Sequence, residues 1–179
     1  RTVTTVDAGT GRAQSRPVNL DGAVTTGLEL EAKFRLDQAI ADAPRIDLRL
    51  NGSVFHSPVE GVPGPDNRID GQPNGTLNVG ADYRLRGTPL SLGGNLNWTP
   101  AVRTRLTGQQ VAGESSKLVG DAYALWTFDP SLLLRLSANN VAPRDYRSSS
   151  EVEGGGLAQT RTSLDRGATM WQVRLEVKL

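Results

Sequence analysis

Trp171-Gln-Val-Arg-Leu-Glu-Val-Lys-Leu179 places an apolar side chain at every odd position and a polar or charged one at every even position. Successive side chains of a β-strand point to opposite faces, so this stretch is a strand with one oily and one wet side. The same alternation recurs along the chain in segments of about ten residues, the length a tilted strand needs to cross a bilayer's hydrocarbon core. The pattern predicts an all-β, antiparallel up-and-down transmembrane β-barrel.

Eight strands are expected. The first lies around Thr2 to Asp7. The second runs from Val24 to Leu36, with Leu28, Leu30, Ala32, Phe34 and Leu36 opposite Glu29, Glu31, Lys33 and Arg35. Further strands span Arg45 to Phe55, Thr76 to Arg86, Pro89 to Leu106, Lys117 to Phe128 and Ser131 to Asn139, and the last begins near Ala168. Pro100 lacks a ladder donor, which predicts a bulge or a departure from the membrane at that point.

Connection lengths give a second line of argument. Short links at Asp37 to Pro44, Gly87-Thr88 and Asp129-Pro130 alternate with long ones at Ala8 to Gly22, His56 to Gly75, Thr107 to Ser116 and Tyr146 to Gly167. Outer-membrane barrels alternate in this way, with short periplasmic turns and long extracellular loops. The second long loop holds Pro58, Pro63, Pro65 and Pro73 and is expected to be irregular. The last carries Ser148 to Ser150 and Gly154 to Gly156, which reads as a mobile tip.

Composition fits this picture. No run of about 18 apolar residues is present, so no segment can span a bilayer as a helix. A barrel tolerates the mean hydropathy of −0.37, because only alternate residues must face lipid. The 20 Lys+Arg and 19 Asp+Glu are interspersed, which argues against a nucleic-acid partner. Cysteine is absent, which removes disulfides and thiolate metal sites.

Candidate sites are few, and none is catalytic, cofactor-binding or metal-binding. Glu29, Glu31, Lys33 and Arg35 could line a substrate path, but charges on a water-facing wall are the ordinary explanation. His56 is the single histidine and is expected at a strand end on the membrane boundary. Asp66, Asn67 and Asp70 lack the oxygen spacing of a calcium loop, so turn chemistry explains them better. Gly154 to Gly156 lack the Lys-Ser/Thr of a phosphate loop, and one histidine without a Gly-x-Ser-x-Gly elbow makes a hydrolase a poor reading. Trp98, Trp126 and Trp171 are expected in aromatic girdles at the membrane interfaces.

Three stretches carry a resemblance to a known family. Gly27-Leu-Glu-Leu-Glu31, inside Asn19 to Leu36, follows a long loop. Asp129 to Tyr146 ends a strand with Asn140 and Tyr146, with Val141, Ala142 and Pro143 between them. The third is the terminal strand, with Val177 and the final Leu179 where aromatics are common. In order and spacing they resemble the C-terminal part of the barrel of a TonB-dependent outer-membrane receptor.

The resemblance implies a barrel of about 22 strands with a plugged lumen, these eight being its last third. It also implies that the plug domain and the TonB-binding segment lie upstream of Arg1. The implied setting is the bacterial outer membrane, with lipid around the barrel and the barrel assembly machinery reading the terminal strand. The implied ligand is a ferric siderophore or a similar scarce compound. The alternatives are a self-contained eight-stranded outer-membrane barrel with a structural, adhesive or enzymatic role, and a soluble β-sandwich. A sandwich would bury the apolar face.

Overall fold

A computed structural model describes residues 1–7, 9–19 and 22–178. Seven strands make one antiparallel sheet: β3 (Thr26–Arg35), β4 (Ile46–His56), β5 (Gly75–Arg84), β6 (Leu90–Thr99), β9 (Lys117–Asp129), β10 (Leu132–Asn139) and β13 (Met170–Val177), hydrogen-bonded in that order. Each strand pairs with its sequence neighbour within the sheet, so the topology is a meander. The short links between β3 and β4, β5 and β6, and β9 and β10 all lie at one end, and the long loops lie at the other. The sheet is open, with β3 and β13 as its edges.

Seven of the eight expected crossing segments take part. The exception is β1 (Thr2–Val6), which is a strand but pairs with β2 (Ala13–Pro17) in a separate hairpin. With 5 residues it is too short to cross a bilayer, which takes about 9–11 residues in a tilted strand. Among the described residues no eighth strand joins the sheet, whose edges β3 and β13 stay unpaired.

The Pro89 to Leu106 segment divides where its proline stands. β6 ends at Thr99, and β7 (Val102–Arg105) resumes in a second sheet after Pro100. That sheet adds β8 (Gln110–Glu114), β11 (Tyr146–Gly154) and β12 (Leu157–Asp165), in the order β7, β8, β11, β12. The last long loop is thus a hairpin and not the mobile tip its glycines suggested. Gly154 pairs with Leu157 across Gly155 and Gly156, whose φ values are 59° and 77°. Two consecutive positive-φ residues form the two-residue turn that matches strand twist, and glycine adopts it without strain.

The register sorts the side chains of the seven-stranded sheet into two faces. Leu28 stands opposite Val54, Leu77 opposite Trp98, Leu96 opposite Gly120, Leu136 opposite Ala124 and Val173, and Leu134 opposite Leu175. No described residue covers this face: Leu30 is 67% exposed, Val173 69% and Leu175 60%. A β-sandwich would have buried these residues, so that alternative falls. In water each such side chain forgoes about 1.5–3 kcal/mol of burial energy, which lipid contact restores.

Tryptophans bracket the apolar band. Trp98 and Trp171 sit at the loop end of β6 and β13, and Trp126 sits toward the turn end of β9, 6.4 Å from the Phe128 ring. Leu118, which pairs with Trp98, and Trp126 lie eight positions apart on β9. At a rise of about 3.3 Å per residue this is about 26 Å along the strand, or about 20 Å for a strand tilted by about 40°. An outer-membrane apolar band is about 25 Å tall, so the girdle spacing fits.

At the turn end, the link between β3 and β4 holds one helical turn, α1 (Leu36–Ala39), and an ion-pair cluster. Asp37 Oδ1 accepts from Arg35 Nε at 2.5 Å, and Asp37 Oδ2 lies 3.5 Å from Arg45 Nε. The hydrogen bond from Arg35, reinforced by both positive charges, holds the Asp37 carboxyl below its ordinary value of 3.8. A depressed folded-state value gives stability that is present above the unfolded carboxyl's range and fades as pH falls through the folded one. Asp37→Asn is therefore expected to lower the urea midpoint slightly at neutral pH and to match the parent in strong acid. A difference that persists in acid would exclude the ion pair as its cause.

Candidate functional site

The face opposite the apolar band carries the charged and amide side chains of all seven strands. Asn51 Nδ2 donates to Glu29 Oε1 at 2.7 Å, and Asn78 Nδ2 donates to Asn51 Oδ1 at 3.3 Å. Lys33 pairs with Glu31 at 2.7 Å, so the four β3 charges weighed as a substrate path join an ordinary wet wall. Alternation alone puts them there.

Across the middle of this wall runs a chain of contacts. Arg49 Nη2 lies 2.6 Å from Asp82 Oδ2, and the Tyr123 hydroxyl donates to Asp82 Oδ1. The Arg135 guanidinium stacks 4.4 Å from the centre of the Tyr123 ring. Tyr123 reaches Asp82 by lying across β6, where its cross-strand partner is Gly93. A Cβ at Gly93 would fall inside the contact radii of Asp82 Oδ1 and the Tyr123 ring, so the glycine supplies space.

The long loops gather into one head beside this wall. Thr4 N donates to Gln110 Oε1 at 2.8 Å, and the Arg1 guanidinium donates to the Leu106 carbonyl at 2.5 Å. Arg105 N donates to the Asp66 carbonyl at 2.7 Å, and Glu60 N donates to the Gly22 carbonyl at 2.9 Å. Together these bonds tie the N-terminal strand and the first two long loops to β7 and the third long loop that follows it. The fourth is joined through β11, which pairs with β8. Apart from Ala138, the buried apolar side chains among the described residues are Val3, Val59, Val102, Leu106 and Val152, all in this head.

Single residues weighed from sequence find their places. His56 is the last residue of β4, at the loop end. Asp66 adopts a left-handed φ of 69°, and Asn67 Nδ2 donates to the Val59 carbonyl at 3.2 Å, as turn chemistry requires. Among the described residues no cluster of metal-ligating side chains occurs. Asn140 and Tyr146 prove to be fasteners. Asn140 has φ 56°, takes the Asp121 carboxylate on its N–H at 2.9 Å and donates from Nδ2 to the Ala168 carbonyl at 3.1 Å. The Tyr146 hydroxyl donates to the Leu118 carbonyl at 2.9 Å. They pin the β11–β12 hairpin to the rim of the wall.

A girdled apolar face, a polar opposite face and long loops confined to one end describe an outer-membrane barrel wall. The family model described as TonB dependent receptor-like, beta-barrel, matches residues 1–141. The chain belongs to that family. Among curated proteins and solved structures no significant match was found. In this TonB-dependent receptor barrel the match stops just after β10, yet the wall continues. β13 pairs with β10 from Leu132↔Val177 to Asn139↔Met170 without a register shift. The family's members are receptors and transporters of the bacterial outer membrane, and the polar face of this wall is the one that faces the barrel lumen. The terminal Leu179 of the expected assembly signal lies outside the described residues.

Proposed function

We propose that this chain is the C-terminal segment of a TonB-dependent receptor barrel that captures a scarce ligand, a ferric siderophore or a compound of similar kind, at the bacterial outer membrane. The observation that carries the reading is the head. Four long loops on one side of the wall are bonded into a single body beside the charged lumen face, the position from which an external ligand would be received. Preorganised loops lower the entropy lost on binding.

In this reading the seven-stranded sheet is roughly the last third of a barrel of about 22 strands. The plug domain and the TonB-binding segment belong upstream of Arg1, and the β13 end engages the barrel assembly machinery. The open edges at β3 and β13 support it, because a wall in a larger barrel needs neighbours on both sides. Lipid covers the apolar face.

The test removes part of the head. Excising Arg147 to Arg166 from the intact receptor, with Tyr146 and Gly167 rejoined, is expected to weaken binding of a labelled ferric siderophore by tenfold or more, on the order of 1.4 kcal/mol. The amount of receptor in the outer membrane should stay the same. Unchanged affinity at unchanged abundance would remove this hairpin from the binding surface.

A further inference from the structure

We propose that Arg135 and Arg174 form a two-guanidinium clamp on the lumen wall that holds one carboxylate or phosphate group. The two residues are direct cross-strand partners on β10 and β13 and point to the polar face. Like charges placed opposite each other on neighbouring strands repel. The wall's other such pairs, Lys33 opposite Arg49 and Asp47 opposite Asp82, are relieved by the ion pairs Lys33–Glu31 and Arg49–Asp82, a relief that Arg135 and Arg174 lack. An anion seated between them turns the repulsion into two charge-assisted hydrogen-bonding forks.

Two of the three acidic groups around the pair, Asp82 and Asp121, are already engaged, and the third, Glu176, makes no ion pair with either arginine. Asp82 is held by Arg49 and Tyr123. Asp121 accepts from Asn95 Nδ2 at 3.2 Å and from the Asn140 N–H. Glu176 sits diagonally from Arg135, opposite Leu133, and among the described residues neither arginine has an ion-pair partner. Arg135 Nε is buried without a hydrogen-bond partner, while the stacked Tyr123 ring fixes the plane of its guanidinium. Both arginines line one concavity with Asp121, whose carboxylate is held by Asn95 and Asn140, and with Ser137, Asn139 and Gln172, whose hydroxyl and amides can complete the shell of an oxyanion.

The anion has two possible sources: a dissolved solute in the lumen, or an aspartate or glutamate of a protein segment seated inside the curve of the wall. The inference needs only the water-facing wall and stands apart from the proposed ligand. Failure of the loop excision would leave it untouched.

The experiment follows thermal unfolding of the full-length protein in detergent, with citrate or inorganic phosphate against chloride at matched ionic strength. Arg135→Gln, Arg174→Gln, the double variant and Arg135→Lys are compared with the parent. If the source is a solute, citrate or phosphate raises the parent's Tm, and the apparent affinity falls about tenfold or more in either Gln variant. Arg135→Lys, which keeps the charge and loses the fork, falls between. If the source is an internal carboxylate, the parent does not respond to either anion, each Gln variant lowers Tm, and the double variant is no worse than a single one. Any other pattern overturns the clamp. An anion response that survives both substitutions is one such pattern, and an unresponsive parent in which Arg174→Gln leaves Tm unchanged or raises it is another.

Discussion

Leu96→Arg is expected to cost about 1–3 kcal/mol when the protein is folded in a phospholipid bilayer, between the range for a charge at the midplane of a barrel's lipid face and that near an interface. Leu96 is 43% exposed, lies in the apolar row that runs from Leu90 to Trp98, and stands between Val79 and Gly120. Its neighbour Asn97 points to the other face, opposite Asn78. Asn97→Arg should therefore change stability by no more than about 0.5 kcal/mol. Urea titration in vesicles, followed by tryptophan fluorescence, reads both. Equal costs at the two positions would mean that the apolar face does not meet lipid.

Gly93→Ala is expected to destabilise the wall by about 1–3 kcal/mol, the usual penalty for forcing a methyl into an occupied site. The added carbon would collide with the Tyr123 ring and Asp82. Displacing the ring breaks the Tyr123–Asp82 hydrogen bond and removes the platform beneath Arg135. Removing the ring takes away one of the two colliding groups and frees Asp82 Oδ1 from the Tyr123 hydroxyl, so Gly93→Ala should cost less in a Tyr123→Ala background, a coupling that a double-mutant cycle measures. Additive effects would show that the glycine is needed for some other reason.

The wall was legible because its determinant is local and periodic. Lipid on one side and water on the other impose a period of two on every crossing strand, and Leu28 to Phe34, Ile46 to Leu50 and Leu134 to Asn139 keep that period within single runs of sequence. The position of Pro100 marked the exit from the sheet for an equally local reason, a missing donor. The head was not legible. Apart from β1, whose run Thr2-Val-Thr-Thr-Val6 reads as a strand though not as part of a separate hairpin, several of its strands have a composition that speaks against strand, as in Ala13-Gln-Ser-Arg-Pro17, which is exposed throughout, and Arg147-Ser-Ser-Ser150. They exist because they pair with one another, and pairing between loops leaves no period behind. Gly155-Gly156 was the one usable signal, since two glycines between short runs fit a tight hairpin as well as a flexible tip.

The same limit hid the sites on the wall. Arg135 and Arg174 meet only through the register of β10 with β13, and Tyr123 meets Asp82 only across β6. Side chains on one strand announce their face but not their partners. His56, Asp66 and Asn67 drew attention by residue type and turned out to serve strand ends and turns.

The buried apolar residues fall almost wholly outside the strip bounded by the tryptophans. The strands there have no interior of their own and borrow their insulation from the surrounding bilayer, whereas the loops enclose a small private one around Val59, Leu106 and Val152. Stripping away lipid therefore threatens the staves before it threatens the cap.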